Sequence, residues 1–161
     1  MLLLLDRRIL PNWDTIQAEW DGCLAFFGQA GMTSDQAHVL AMATHELLEN
    51  AVKYGEFAAD QVIDLRLEAS VREITIEVRS PTHADGRGLK TLDDTIQWIR
   101  GFQNPFEAYV EKLKQVAART YNTEFSGLGL VRIAYEAQCV IDFYVDDADH
   151  VALSAVYRLP Q

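Results

Sequence analysis

The sequence predicts an α+β fold, a two-layer α/β sandwich in which a mostly antiparallel, mixed sheet is covered on one face by helices. Three observations carry this reading. Two pairs of short segments alternate apolar and polar residues, and each pair is joined by a turn, so each reads as an antiparallel hairpin. Other segments place apolar residues at helical spacing. Strands that bury one side need a cover, and the helical segments supply it. Hydrophobic residues make up 49% of the 161 and charged residues 24%, which fits one globular domain over 1–161 and excludes a wholly disordered chain.

The elements follow in order. Residues 2–10 are apolar-rich and stop at Pro11, which predicts a strand. Trp13, Ile16, Trp20, Leu24 and Phe27 keep a helical stripe over about 12–29, closed by Gly31. Thr33 with Gln36 three residues on reads as a capping box, opening a helix that runs to about Tyr54 and stops at Gly55. Ile63, Leu65, Leu67 and Ala69, then Ile74, Ile76 and Val78, form the first hairpin. Ile141, Phe143 and Val145, then Val151, Leu153, Ala155 and Tyr157, form the second, across the turn at Asp147 to His150. A helix over about 126–138 precedes it, with Leu128, Val131 and Tyr135 at helical spacing.

The section 81–126 is of another kind. A loop by composition, Pro81 through Gly88, leads into two amphipathic runs, one with Leu92, Ile96, Ile99 and Phe102, the other with Phe106, Tyr109, Leu113 and Val116. An insertion of this length reads as a lid or a partner surface, or as a plain extension of the core.

Fourteen basic against 24 acidic residues give a net charge of −10. Such a chain has little general attraction for nucleic acid or anionic membrane. Met1 to Arg8 is too short and too soon charged for a signal peptide or a membrane span. Cys23 and Cys139 match no metal-ligand spacing and sit among apolar residues, which predicts buried free thiols and a reducing, cytoplasmic setting.

Two segments point to chemistry. In His45-Glu46-Leu47-Leu48-Glu49-Asn50-Ala51-Val52-Lys53-Tyr54-Gly55, Glu46 and Asn50 share a helix face and Lys53 continues the stripe, beside an apolar arc. An Asn carbonyl can ligate a hard cation such as Mg²⁺. A carboxylate can deprotonate a hydroxyl, and a lysine can meet phosphate oxygens. A plain amphipathic helix with a polar flank, Glu46 and Asn50 bonding each other or water, explains the same pattern. The zinc pattern H-E-x-x-H fails, because position 49 is Glu. The second segment, Ser126-Gly127-Leu128-Gly129-Leu130, opens a helix, where small residues and free N–H groups favour phosphate. No Lys-Ser/Thr follows, so it is not a Walker loop.

Taken together, these segments resemble the boxes of the GHKL superfamily of Bergerat-fold ATP-binding domains. Residues 45–54 are similar to the family's N-box, and 126–130 to its second glycine box. The resemblance spans the whole chain. It implies Glu46 as general base and Asn50 as Mg²⁺ ligand. It also implies nucleotide contacts from Asn50, Lys53, Tyr54, Ser80, Gly127, Leu128, Gly129 and Leu130, with ATP and Mg²⁺ as cofactors. The family's D-x-G-x-G motif is absent or altered: Ser80 stands at the Asp position, and Asp85-Gly86-Arg87-Gly88 is a displaced version one residue short. In size and layout the chain is similar to stand-alone anti-sigma-factor and other partner-switching serine/threonine kinases. That implies a signalling module with a regulatory protein partner such as an anti-sigma antagonist, serine/threonine phosphotransfer, and a homodimer as one open arrangement. A second reading keeps the fold as a binding module without nucleotide turnover, acting through the insertion.

Overall fold

The computed structural model describes residues 2–82, 86, 88–118 and 128–161. Strand β1, Leu3–Ile9, runs into a short helix α1, Trp13–Ala18, whose first turn is capped by Asn12 Oδ1 accepting from the Thr15 N–H at 2.8 Å. Helix α2 spans Trp20–Gln29. The stretch predicted as one helix is therefore two. Glu19 closes α1 by donating its N–H to the Ile16 carbonyl at 3.1 Å, a tight i to i−3 bond that turns the axis.

Helix α3, Ser34–Tyr54, begins with the predicted capping box: Gln36 N–H to Thr33 Oγ1 at 3.2 Å, and Thr33 N–H to Gln36 Oε1 at 2.9 Å. It ends at Gly55, which has extended backbone (φ −76°) rather than a left-handed one. A side chain there is excluded by crowding, since a Cβ would stand 2.6 Å from the Ala51 carbonyl oxygen and 2.5 Å from the Phe57 ring.

Strands β2 (Ile63–Ala69) and β3 (Glu73–Pro81) form the first hairpin, and β4 (Val140–Val145) and β5 (His150–Arg158) the second. They join in one five-stranded sheet of order β1-β2-β3-β5-β4, with all four pairings antiparallel. On one face Leu65, Leu67, Ile74, Ile76 and Ala155 are buried under the helices. There α3 packs on β2 and β3, and α6 (Leu128–Tyr135) packs on β4 and against α3. The opposite face carries rows of charge. Arg79 bridges Asp64 on β2 and Asp146 beyond β4, its Nε donating to Asp146 at 2.8 Å, which holds that carboxyl below its ordinary range.

The insertion contributes α4, Leu89–Arg100, and α5, Pro105–Ala117. Ile96 of α4 joins the core, with Leu92 and Ile99 packed against it, whereas α5 buries only Ala108. Both cysteines are buried free thiols, and burial pushes each up to about 12, where it is an inert apolar filler.

Candidate functional site

The two segments singled out in the sequence meet. Helix α3 brings Glu46 against the first turn of α6, so closely that a Cβ on Gly129 would collide with the Glu46 carboxylate. Glycine at 129 is thus required by the approach of two helices. Arg132, one turn along α6, donates from Nη1 to Glu46 Oε1 at 3.2 Å and from Nε to Glu136 Oε2 at 3.2 Å. Glu46 therefore pairs with Arg132 and not with Asn50. Burial, with Glu49 adding to it, pushes the Glu46 carboxyl above its ordinary range, and Arg132, Lys53 and His45 pull the other way. His45 itself pairs with Glu49 at 2.9 Å.

One turn beyond Glu46, α3 borders a cleft of about 820 Å³, open mouth included. Its floor is Leu47 and Ala51 of α3 with Val78 and Leu153 of the sheet, and α4 closes one side with Leu89 and Leu92. Three of the sequence candidates, Asn50, Tyr54 and Ser80, line it. Ser80 is only 3% exposed. Among the described residues, neither the Ser80 hydroxyl nor the Asn50 amide has a hydrogen-bond partner, so both remain available to a ligand.

The other candidates fall elsewhere. Lys53 is exposed and does not line the cleft, although its charge is felt at Glu46. Leu130 is a core residue at 1% exposure. Leu128 and Gly129 open α6. Gly127, Ser126 and Asp85 lie outside the described residues, whereas Gly86 and Gly88 are described and both take positive φ, 72° and 88°. Among the described residues no group of three or more His, Cys, Asp or Glu could hold a metal, and no helix is long and apolar enough to cross a membrane.

Sequence reasoning missed Arg132 and the wall that α4 lends the cleft. The signal for Arg132 was its place three residues after Gly129 on one helix face.

The geometry defines a two-layer α/β sandwich with a cleft between its central helix, its sheet and an inserted helix. No protein-family profile matches the chain, and no curated protein does. Among solved structures, it is similar to a chain of the SiaB–SiaC complex from Pseudomonas aeruginosa, with a TM-score of 0.71 and 15% identity over 95% of this chain and 88% of that one. At that identity the likeness is one of fold.

Proposed function

We propose that this chain is a GHKL-type signalling module that binds ATP with Mg²⁺ in the cleft, docks a regulatory protein, and transfers phosphate to a serine or threonine. The observation that carries this reading is the meeting of Glu46 and Gly129 one helical turn from a cleft lined by Asn50, Tyr54 and Ser80. The two segments are far apart in sequence, yet the fold sets the Glu46 carboxylate against the glycine that opens α6. The likeness to a chain from a two-protein complex supports partner docking.

The residues present fit the cofactor. Apolar walls suit the faces of a purine, and the unpartnered Ser80 hydroxyl can donate or accept at its edge. Asn50 offers one oxygen, which accords with Mg²⁺ taking most of its ligands from phosphates and water. When bound, ATP–Mg²⁺ supplies the transferable phosphoryl group. The chain's own residues do the rest. The dipole at the start of α6 would favour phosphate, and the Lys53 charge that is felt at Glu46 would add to it. Glu46 orients the acceptor hydroxyl and takes its proton at a carboxylate oxygen, and Arg132 holds that carboxylate in place.

The alternative, a binding module without turnover, is favoured by Ser80 at the Asp position. Thermal unfolding with and without ATP–Mg²⁺ separates the two. Nucleotide at 100 times its Kd should add about 2.7 kcal/mol. Asn50→Ala should abolish the Mg²⁺-dependent part, whereas Glu46→Gln should keep binding and lose phosphotransfer. An absence of any shift at saturating ATP–Mg²⁺ leaves the binding-module reading.

A further inference from the structure

Helix α4 walls more than the cleft. Its N-terminal half, with Leu89 and Leu92, closes the cleft, whereas its C-terminal half, with Ile96, Ile99 and Arg100, borders a second cavity of about 570 Å³, open mouth included. That cavity lies between the α4–α5 turn and the passage from α6 to β4. Its size falls within the roughly 300–1,000 Å³ of small-molecule sites. The floor is apolar and buried, with Ile96 at 2% exposure and Cys139 and Ile141 at 5%. Burial pushes the Cys139 thiol up to about 12, so it keeps its proton and the floor carries no charge. At the mouth Val140 is 59% exposed, so the apolar wall runs out to solvent.

The polar groups of the rim are donors. Arg100 uses Nη2 on the Ile141 carbonyl at 2.7 Å, and its Nε and Nη1 have no acceptor among the described residues. The Asp142 carboxylate stands 3.6 Å from Nη2, but it does not line the cavity and is 71% exposed, where water weakens the pairing. The Gln103 amide has no partner among the described residues. Asn104 uses only its Oδ1, which accepts from the Glu107 N–H at 3.1 Å, so its own amide N–H groups are left to donate. Among the described residues no Asp or Glu lines the cavity. A guanidinium and amide donors over an uncharged apolar floor match a ligand with an anionic head and an apolar body. A wholly apolar occupant would instead cover these donors and leave them unpaired.

We infer that this cavity is a second ligand site, for a small organic anion with an apolar body such as a medium-chain carboxylate, and that its occupant braces α4. The inference stands apart from what the cleft holds, because the two cavities share α4 but are lined by different residues.

The test is calorimetric titration of the whole chain with octanoate and with octanol, joined to amide hydrogen exchange along α4. Octanoate should bind the parent roughly tenfold more tightly than octanol, because its head gains a charged hydrogen bond. Arg100→Gln should bring octanoate down to the level of octanol and leave octanol unchanged, which also shows that the cavity is intact. Gln103→Trp, at an exposed position of the turn, should fill the mouth and weaken both ligands roughly tenfold or more. Octanoate should slow exchange over 89–100 in the parent and not in Gln103→Trp. A parent that binds neither ligand, leaving the cavity to a side chain of another protein, overturns the proposal. So does octanoate binding that both substitutions leave unchanged, which would put the anion in the cleft. Equal affinity for octanoate and octanol, or binding without slower exchange in α4, overturns it as well.

Discussion

Helix α3 meets two different environments one turn apart. At Glu46 it is charged and closely packed: Arg132 bridges Glu46 to Glu136, and the carboxylate stands so near Gly129 that no side chain fits at that position. Where Asn50, Ala51 and Tyr54 line the cleft it is neutral and open, with apolar walls and the polar side chains of Asn50 and Ser80, which have no partner among the described residues. The contrast follows from the cost of burying each kind of group. A buried carboxylate without a counter-ion is too costly, so the charged end is pre-assembled. A hydroxyl or amide at a cleft wall can wait for a ligand, because water in the open mouth satisfies it meanwhile. Substitutions at the first end should therefore move stability and proton affinity, and those at the second should move binding.

The largest effect should come from the residue that joins the two ends. Leu47 is fully buried, yet it also forms the cleft floor. Leu47→Ala should cost about 2–5 kcal/mol of stability, read from urea denaturation, because the neighbouring strands cannot collapse into the space. A loss below about 1 kcal/mol would mean that the cleft floor yields, and the division into a rigid and an open end would fail.

At the neutral end, Ser80→Asp sharpens the contrast by placing a charge where there is none. If a purine occupies the cleft, the carboxylate should tighten ATP over GTP by about 1–3 kcal/mol in calorimetric titrations of both nucleotides against both proteins. Without ligand the same change buries an unpaired charge and should lower stability. An unchanged ATP-to-GTP ratio would place the base elsewhere. A parent that already selects ATP would point to another residue for the base contact, with Asp85 the first to substitute.

How far these two ends were legible in the sequence depends on whether local pattern or long-range approach decides them. The capping box at Thr33, the hairpins and the helical cover are all local, and alternation or spacing reveals them. The break at Glu19 is local too, but residues on both sides keep the same apolar stripe, so periodicity runs through it. Strand β3 continues through Ser80 to Pro81, where the missing N–H does no harm at a strand end, and this carries Ser80 into the cleft. Glu46 and Asn50 were readable as one face of a helix. Their separation into a closed and an open end was not, since Arg132 and α4 arrive from distant parts of the chain. Lys53 continued the stripe on a helical wheel, yet the helix turns it outward past the cleft rim. Leu130 followed the glycines in sequence, but its place on α6 points it into the core.

The smallest effect tests the closed end through protons. Burial raises the Glu46 carboxyl above its ordinary 4.5, so the folded protein holds this proton more tightly than the unfolded chain. The stability this provides is complete below about pH 4.5 and is lost as pH rises through the folded value. Glu46→Gln removes the titration. The stability difference, variant minus parent, should therefore grow with pH above 4.5 and then level off. Carboxylates of the opposite sign, such as Asp146, are common to both proteins and cancel in the difference. Arg132→Ala should push the levelling point to higher pH, because the guanidinium is the strongest influence drawing the Glu46 carboxyl down. A difference that is flat with pH would mean the carboxylate is solvated at the α3–α6 contact. A difference that falls with pH would mean that the Arg132 pairing outweighs burial, and the closed end would then be held by charge more than by packing.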